Sequence, residues 1–230
     1  MDKIQIIEKL FYHIVTYSYL ILPFAILIAK EKKSAAVFIG VYGTLVCLLL
    51  NLFPYLPLDA KLIYLSLYTL LEYLFFAYLL YNSIQNKKIK QIIVLFSICF
   101  AIFQIATYFL NSKIHRLDSL SVGIETILLF TYILFFFYDH SKNYKSGYIY
   151  NHPTFWLSAG ILIYLGGSFF FNILVNYMSI NEIEVFSHYT YIAEIIKNLF
   201  FIVAIWKISR QHKISPIHQS QVPYLDMDMN

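Results

Sequence analysis

The stretch HYTYIAEIIKNLFFIVAIWK, residues 188–207, decides how the rest of the chain is read. It has the length of a membrane crossing, about 20 residues, yet Glu194, Lys197 and Asn198 lie inside it. At about 100° per residue, Tyr191, Glu194, Lys197, Asn198 and Phe201 share one half of the helix. Ile192, Ile196, Leu199, Phe200 and Val203 take the other half. The second half is suited to lipid and the first to a protein interior. Ionisable groups are costly at membrane depth and usually mark function there. Glu194 and Lys197 are three residues apart, within reach of each other on a helix.

Working outward, further apolar stretches fill almost all of the remaining chain. Spans are expected at 11–29, 35–53, 62–82, 91–111, 119–138, 155–178 and 188–207. The expected fold is therefore all-α: a polytopic membrane bundle of seven transmembrane helices over residues 1–207. A short, flexible cytoplasmic tail, 208–230, follows it, polar and carrying Pro216 and Pro223. Only 13% of the 230 residues are charged, against about 25% in soluble domains. Pro54 and Pro57 break the chain after the second span, and Pro153 suits the first turn of the sixth. Pro23 predicts a kink in the first, which is read as a retained span and not a cleaved signal.

Eleven Lys and Arg residues lie near one set of span ends, at 30–33, 87–90, 142–145 and 207–213, against five near the other set. The bias places the N-terminus outside and the C-terminus in the cytoplasm. The net charge of +4 belongs to these loops and implies no nucleic-acid partner. The many tyrosines near span ends fit an interfacial belt.

Other spans carry polar stripes that match the seventh. Tyr68, Thr69 and Glu72 align in the third, Ser97, Gln104, Tyr108 and Asn111 in the fourth, Ser121, Glu125 and Tyr132 in the fifth, and Ser168, Asn172 and Asn176 in the sixth. With the expected topology, most of these groups collect in the outer half. The candidate ligand-binding set is Glu72, Glu125, Glu194, Lys197, Asn198, Gln104 and Asn172. Polar residues in bundles also serve simply to join helices, at about 0.6–2 kcal/mol each. That reading suits a single Ser, Asn or Gln better than it suits the ionisable four. One lysine cannot neutralise three glutamates. At least one glutamate is therefore protonated, solvated in a cavity or paired with a cation.

No cofactor is specified. A lysine in the last span with a glutamate in the third is the retinal-binding arrangement, but Trp156 and Trp206 sit near the cytoplasmic ends, away from any polyene. The seven histidines are split between the two sides, with no H-x-x-x-H or H-E-x-x-H spacing, so neither a zinc hydrolase nor a haem protein is indicated. Cys47 and Cys99 fall in apolar runs and read as small packing residues, not as a disulfide or metal pair.

Asn151-His152-Pro153-Thr154-Phe155-Trp156, continuing to Ile163-Tyr164-Leu165-Gly166-Gly167, resembles a poorly characterised family of small seven-helix proteins typical of Bacteroidetes. The Ser119–Glu125 segment and Ile195-Ile196-Lys197-Asn198 are similar to it as well. The resemblance implies the bacterial inner membrane and, because members are often encoded near sensor histidine kinases, an accessory sensory role. It brings no catalytic residues. The leading expectation is a receptor-like protein that binds a small or lipidic ligand in an outward-facing polar pocket and signals through a partner protein. An ion- or proton-coupled transporter or channel, and a membrane-embedded lipid enzyme, are the alternatives. A reporter fused after Arg210 should be active in the cytoplasm and one inserted beside Glu182 active outside; the reverse pattern would invert the topology.

Overall fold

The computed structural model describes residues 3–29, 33–110, 119–143, 149–175 and 177–210. These residues form eight α-helices and two short 3-10 turns, with no strand among them. The helices are α1 (Lys3–Ser18), α2 (Ile21–Ile28), α3 (Ser34–Leu52), α4 (Leu58–Ser83), α5 (Lys87–Leu110), α6 (Ser119–Asn143), α7 (Pro153–Leu174) and α8 (Ile180–Arg210). Asn111, Asn176, the side chain of Tyr108 and the expected tail from residue 211 lie outside the described residues.

Six segments are long and apolar enough to cross a membrane, with α1 and α2 together making the first. Their outer faces are apolar: Leu27, Leu48, Ile102 and Ile127 are all exposed, as a lipid-facing surface requires. The last helix, α8, is not among the six. Its 31 residues reach about 46 Å at 1.5 Å per residue. Its glutamates, lysines and Asn198 dilute its hydrophobicity.

Two boundaries differ from expectation for local chemical reasons. The first span is interrupted at Tyr19–Leu20, four residues and three residues before Pro23. Proline has no N–H, so the Tyr19 carbonyl loses its usual partner and accepts instead from the Leu22 amide at 3.2 Å. The last helix begins eight residues before the expected start at 188. Ser179-Ile180-Asn181-Glu182 is a capping box: the Ser179 amide donates to the Glu182 carboxylate at 2.8 Å, and the Glu182 amide returns a bond to Ser179 Oγ at 3.4 Å. These bonds from Ser179, the backbone one foremost, hold the Glu182 carboxyl below its usual pKa.

The helices divide into two packed groups. In one, α1, α2 and α3 lie against α8; in the other, α4 packs on α5 and α6. Helix α7 joins the groups, packing most extensively on α8 and also on α6 and α4. By contrast α3 and α4, adjacent in the chain, approach each other little.

Small residues set the close approaches. A Cβ on Gly160 would lie 2.9 Å from Phe200 Cβ and 3.2 Å from the Lys197 carbonyl, and one on Gly167 would lie 2.6 Å from Ala193 Cβ. Gly166, the next residue, has open space around it. Gly167→Ala should therefore lower stability by about 1–3 kcal/mol through overpacking, while Gly166→Ala should cost nothing. Thermal unfolding of the two variants in lipid nanodiscs checks this; equal effects would mean α7 and α8 do not meet along this face.

Candidate functional site

Lys197 has no exposed surface, and its ammonium lies where the two helix groups meet. Nζ donates to Tyr19 Oη at 3.0 Å, to Tyr42 Oη at 3.3 Å and to Glu72 Oε1 at 3.3 Å. Those contacts use all three of its protons. The ammonium also sits 3.8 Å from the ring centroid of Tyr164, a cation–π distance. Glu72 is equally well held. Its Oε1 accepts from Tyr42 Oη at 2.8 Å and its Oε2 from Tyr164 Oη at 2.9 Å. Four helices, α3, α4, α7 and α8, and the break between α1 and α2 thus supply one buried ion pair and its hydrogen-bonding shell.

Glu194 joins this group indirectly. Although Glu194 and Lys197 are neighbours on α8, no direct ion pair links them among the described contacts. Tyr19 Oη stands between, accepting from Lys197 and donating to Glu194 Oε2 at 3.3 Å. The lysine is drawn across the bundle toward Glu72 and not along its own helix. Next to it, Asn198 donates to Ser18 Oγ at 2.8 Å and ties α8 to α1, while its Oδ1 has no partner among the described residues.

Glu125, on α6, is 4% exposed. It lies within electrostatic reach of both Glu72 and Lys197, and its Oε1 has no hydrogen-bond partner among the described residues. The structure does not join Gln104 and Asn172 to the group. Gln104 bonds across the α4–α5 seam to Ser66 Oγ at 2.8 Å. Asn172 is half-buried on α7, two helical turns beyond Tyr164.

Tyr19, Tyr42 and Tyr164 are the residues that the sequence pattern passed over. Assigning the tyrosines to an interfacial belt hid them, yet each is buried. Their depth was the available signal: Tyr42 falls near the middle of α3 and Tyr164 near the middle of α7, too far from either end to reach a headgroup.

A crevice of about 240 Å³ runs between α3 and α4 and ends on Tyr42, Tyr68 and Glu72. Val41, Leu45, Leu71 and Leu74 line it, and all four are exposed on the outer surface of the bundle. The opening therefore faces the apolar flank, whereas the polar stripes in the sequence predict a pocket open to the extracytoplasmic side. The rings of Tyr42 and Phe75 stack 4.0 Å apart at its inner wall.

Toward the ends of α4 and α6 the packing is mostly apolar, with the Ser158 hydroxyl on α7 a buried polar exception that has no partner among the described residues. Phe76, Leu80, Phe136, Ile161 and Ile205 are buried there and fill the space. Beyond them polar groups return: Ser83 Oγ and Thr154 Oγ1 are 2.7 Å apart, and the Gln85 amide donates to Asp139 at 2.6 Å. His152 accepts from the Thr154 amide through Nδ1, and burial, with His140 beside it, lowers its pKa. Among the described residues, no three His, Cys, Asp or Glu side chains converge as a metal site would need.

No protein family, curated protein or solved structure matches this chain.

Removing one partner of a buried ion pair strands the other charge, at about 3–5 kcal/mol. Lys197→Met should lower stability by that amount, and Lys197→Met with Glu72→Gln should recover most of the loss. Thermal unfolding of the single and double variants in nanodiscs tests the coupling; a neutral single variant would mean the pair contributes no electrostatic crosslink.

Proposed function

We propose that this chain is a receptor-like protein of the bacterial cytoplasmic membrane, with seven spanning helices, the N-terminus outside and the C-terminus inside. In this reading α8 is the seventh span. Its polar face is shielded from lipid by α1, α2, α3 and α7, which accounts for its low hydrophobicity. The ligand is lipidic. It enters from the bilayer through the crevice between α3 and α4 and places its polar end at Glu72, Tyr42 and Tyr68.

The observation that carries this reading is the position of the crevice. It separates the two helix groups on the lipid-facing flank, and its floor is the carboxylate that links them. An occupant there spreads α3 from α4 and competes for the hydrogen-bonding capacity of Glu72. Occupancy thereby biases one arrangement of the two groups over another, which is what a ligand must do to transmit a signal. The displaced cytoplasmic ends of the helices are where a signalling partner reads the change.

The mostly apolar layer of Phe76, Leu80, Phe136 and Ile161 supports a receptor over a transporter. A proton or ion path needs polar groups through the full depth. Here the polar cluster and the Asp139–His152 end are separated by roughly two helical turns, each about 5.4 Å, of mostly apolar side chains in which Ser158 is a lone buried hydroxyl among the described residues of α7.

A long-chain alcohol bearing a diazirine should label peptides spanning Val41–Leu49 and Leu71–Phe75 on irradiation in nanodiscs. Leu45→Trp should fill the mouth of the crevice and remove that labelling without loss of thermal stability. Labelling spread evenly over all lipid-facing helices would overturn the reading.

A further inference from the structure

The buried cluster holds more negative charge than its own cation can balance. Lys197 is the one basic residue within it among the described residues, and Glu72 already occupies that ammonium at 3.3 Å. Glu194 and Glu125 remain. Both interact electrostatically with Glu72 and with Lys197, so they belong to the same charge system. Fully ionised, the four groups sum to two negative charges. Water is the usual remedy for such a surplus, but Glu125 is 4% exposed and its Oε1 finds no protein donor. Glu125 must then carry either a proton or a foreign cation, while Glu194 is half-buried and leans on the Tyr19 hydroxyl.

The same cluster is built to receive an ammonium. Lys197 is held by a carboxylate, two phenolic oxygens and the face of a third tyrosine. The crevice reaches the same cluster from the lipid side: Glu72, Tyr68 and Tyr42 are among the residues that line it. Aromatic faces and a carboxylate are the usual recognition elements for organic cations. An anionic headgroup would add to the negative surplus, and a neutral alcohol would leave it unchanged.

We propose that the crevice selects an amphiphilic amine: an apolar chain lying between α3 and α4, with a protonated amino group directed at Glu72. This rests on the reading of the crevice as the ligand site and names the ligand's chemical class. When the ammonium binds, it takes the place of one proton on the surplus carboxyls, and that proton leaves to solvent. No covalent bond other than O–H is broken.

The test uses three photoreactive probes of equal chain length, a primary amine, an alcohol and a carboxylic acid, on the full chain in nanodiscs. The amine should label the Val41–Leu49 and Leu71–Phe75 peptides at least about tenfold more than the alcohol, as a charge interaction at these depths would give, and the acid should label least. The isosteric double variant Glu125→Gln with Glu194→Gln removes both surplus charges and keeps the Glu72–Lys197 pair. Its amine-to-alcohol ratio should fall to within about twofold, the crevice being otherwise unchanged. Equal labelling by amine and alcohol in the natural chain would overturn the amine proposal and leave the crevice reading standing. So would an amine preference that survives in the double variant. Absence of crevice labelling by all three probes would overturn both.

Discussion

An ammonium without water is the constraint on which the rest of this bundle depends. Lys197 is wholly buried in a protein whose surroundings are apolar on every flank, and an uncompensated charge there is costly. Compensation requires a carboxylate and several oxygens at about 3 Å, and these come from helices far apart in sequence. The required closeness explains several local features together. Gly43 lets α3 approach so near that a Cβ would stand 2.6 Å from the Tyr19 carbonyl. Gly160 does the same for α7 against the backbone of Lys197. Pro23 breaks the first span just after Tyr19, freeing its carbonyl from the regular helical ladder. Each feature positions one of the tyrosines that surround the ammonium.

The ion pair also has an architectural meaning. Helix α4 packs on α5, α6 and α7 but approaches α3 little. What links it to the other group is Glu72, through Lys197 on α8 and Tyr42 on α3, together with ring contacts: Phe38 and Tyr42 on Phe75, and Phe76 on Phe201. A charge interaction at such a seam differs from an apolar one. It is strong only while water and competing donors are absent, so anything polar that reaches Glu72 weakens it sharply. In the proposed function the crevice is the route by which such a group arrives.

Much of the fold is legible because a bilayer leaves few choices. Apolar runs of spanning length must be helices, and prolines at 54, 57 and 153 fall where helices start or stop. The inward arc of the last helix follows from periodicity: Lys197, Asn198 and Phe201 are buried while Ile192 and Leu199 are exposed. The early start of α8 was also available in Ser179 and Glu182, but a hydropathy reading weighs apolar length and passes over a polar capping box. Tertiary partners are less legible. Periodicity assigns a side chain to a face, not to a neighbour, so Gln104 aligns with the polar stripes yet bonds Ser66 at the α4–α5 seam. The direct Glu194–Lys197 contact that spacing allows is replaced by one through Tyr19, because a better acceptor lies across the bundle. The crevice could not be read at all, since it arises where the α3 and α4 backbones stand apart and meet through ring contacts such as Phe38 and Tyr42 on Phe75.

A structural role alone would need one glutamate for one lysine. Glu72 meets that need, with both oxygens engaged and all three lysine protons used. Glu194 adds a single long bond to a tyrosine already occupied, and Glu125 leaves an oxygen orphaned. Buried polar atoms without partners cost about 1–3 kcal/mol each, more when charged. Leucine or glutamine at these positions would avoid the charge and keep the packing. Departures from local consistency of this kind concentrate at sites with work other than folding. Here both fall around the same ion pair, whose Glu72 also lines the crevice between α3 and α4. The surplus acid is thus better explained by what enters the bundle than by what holds it together.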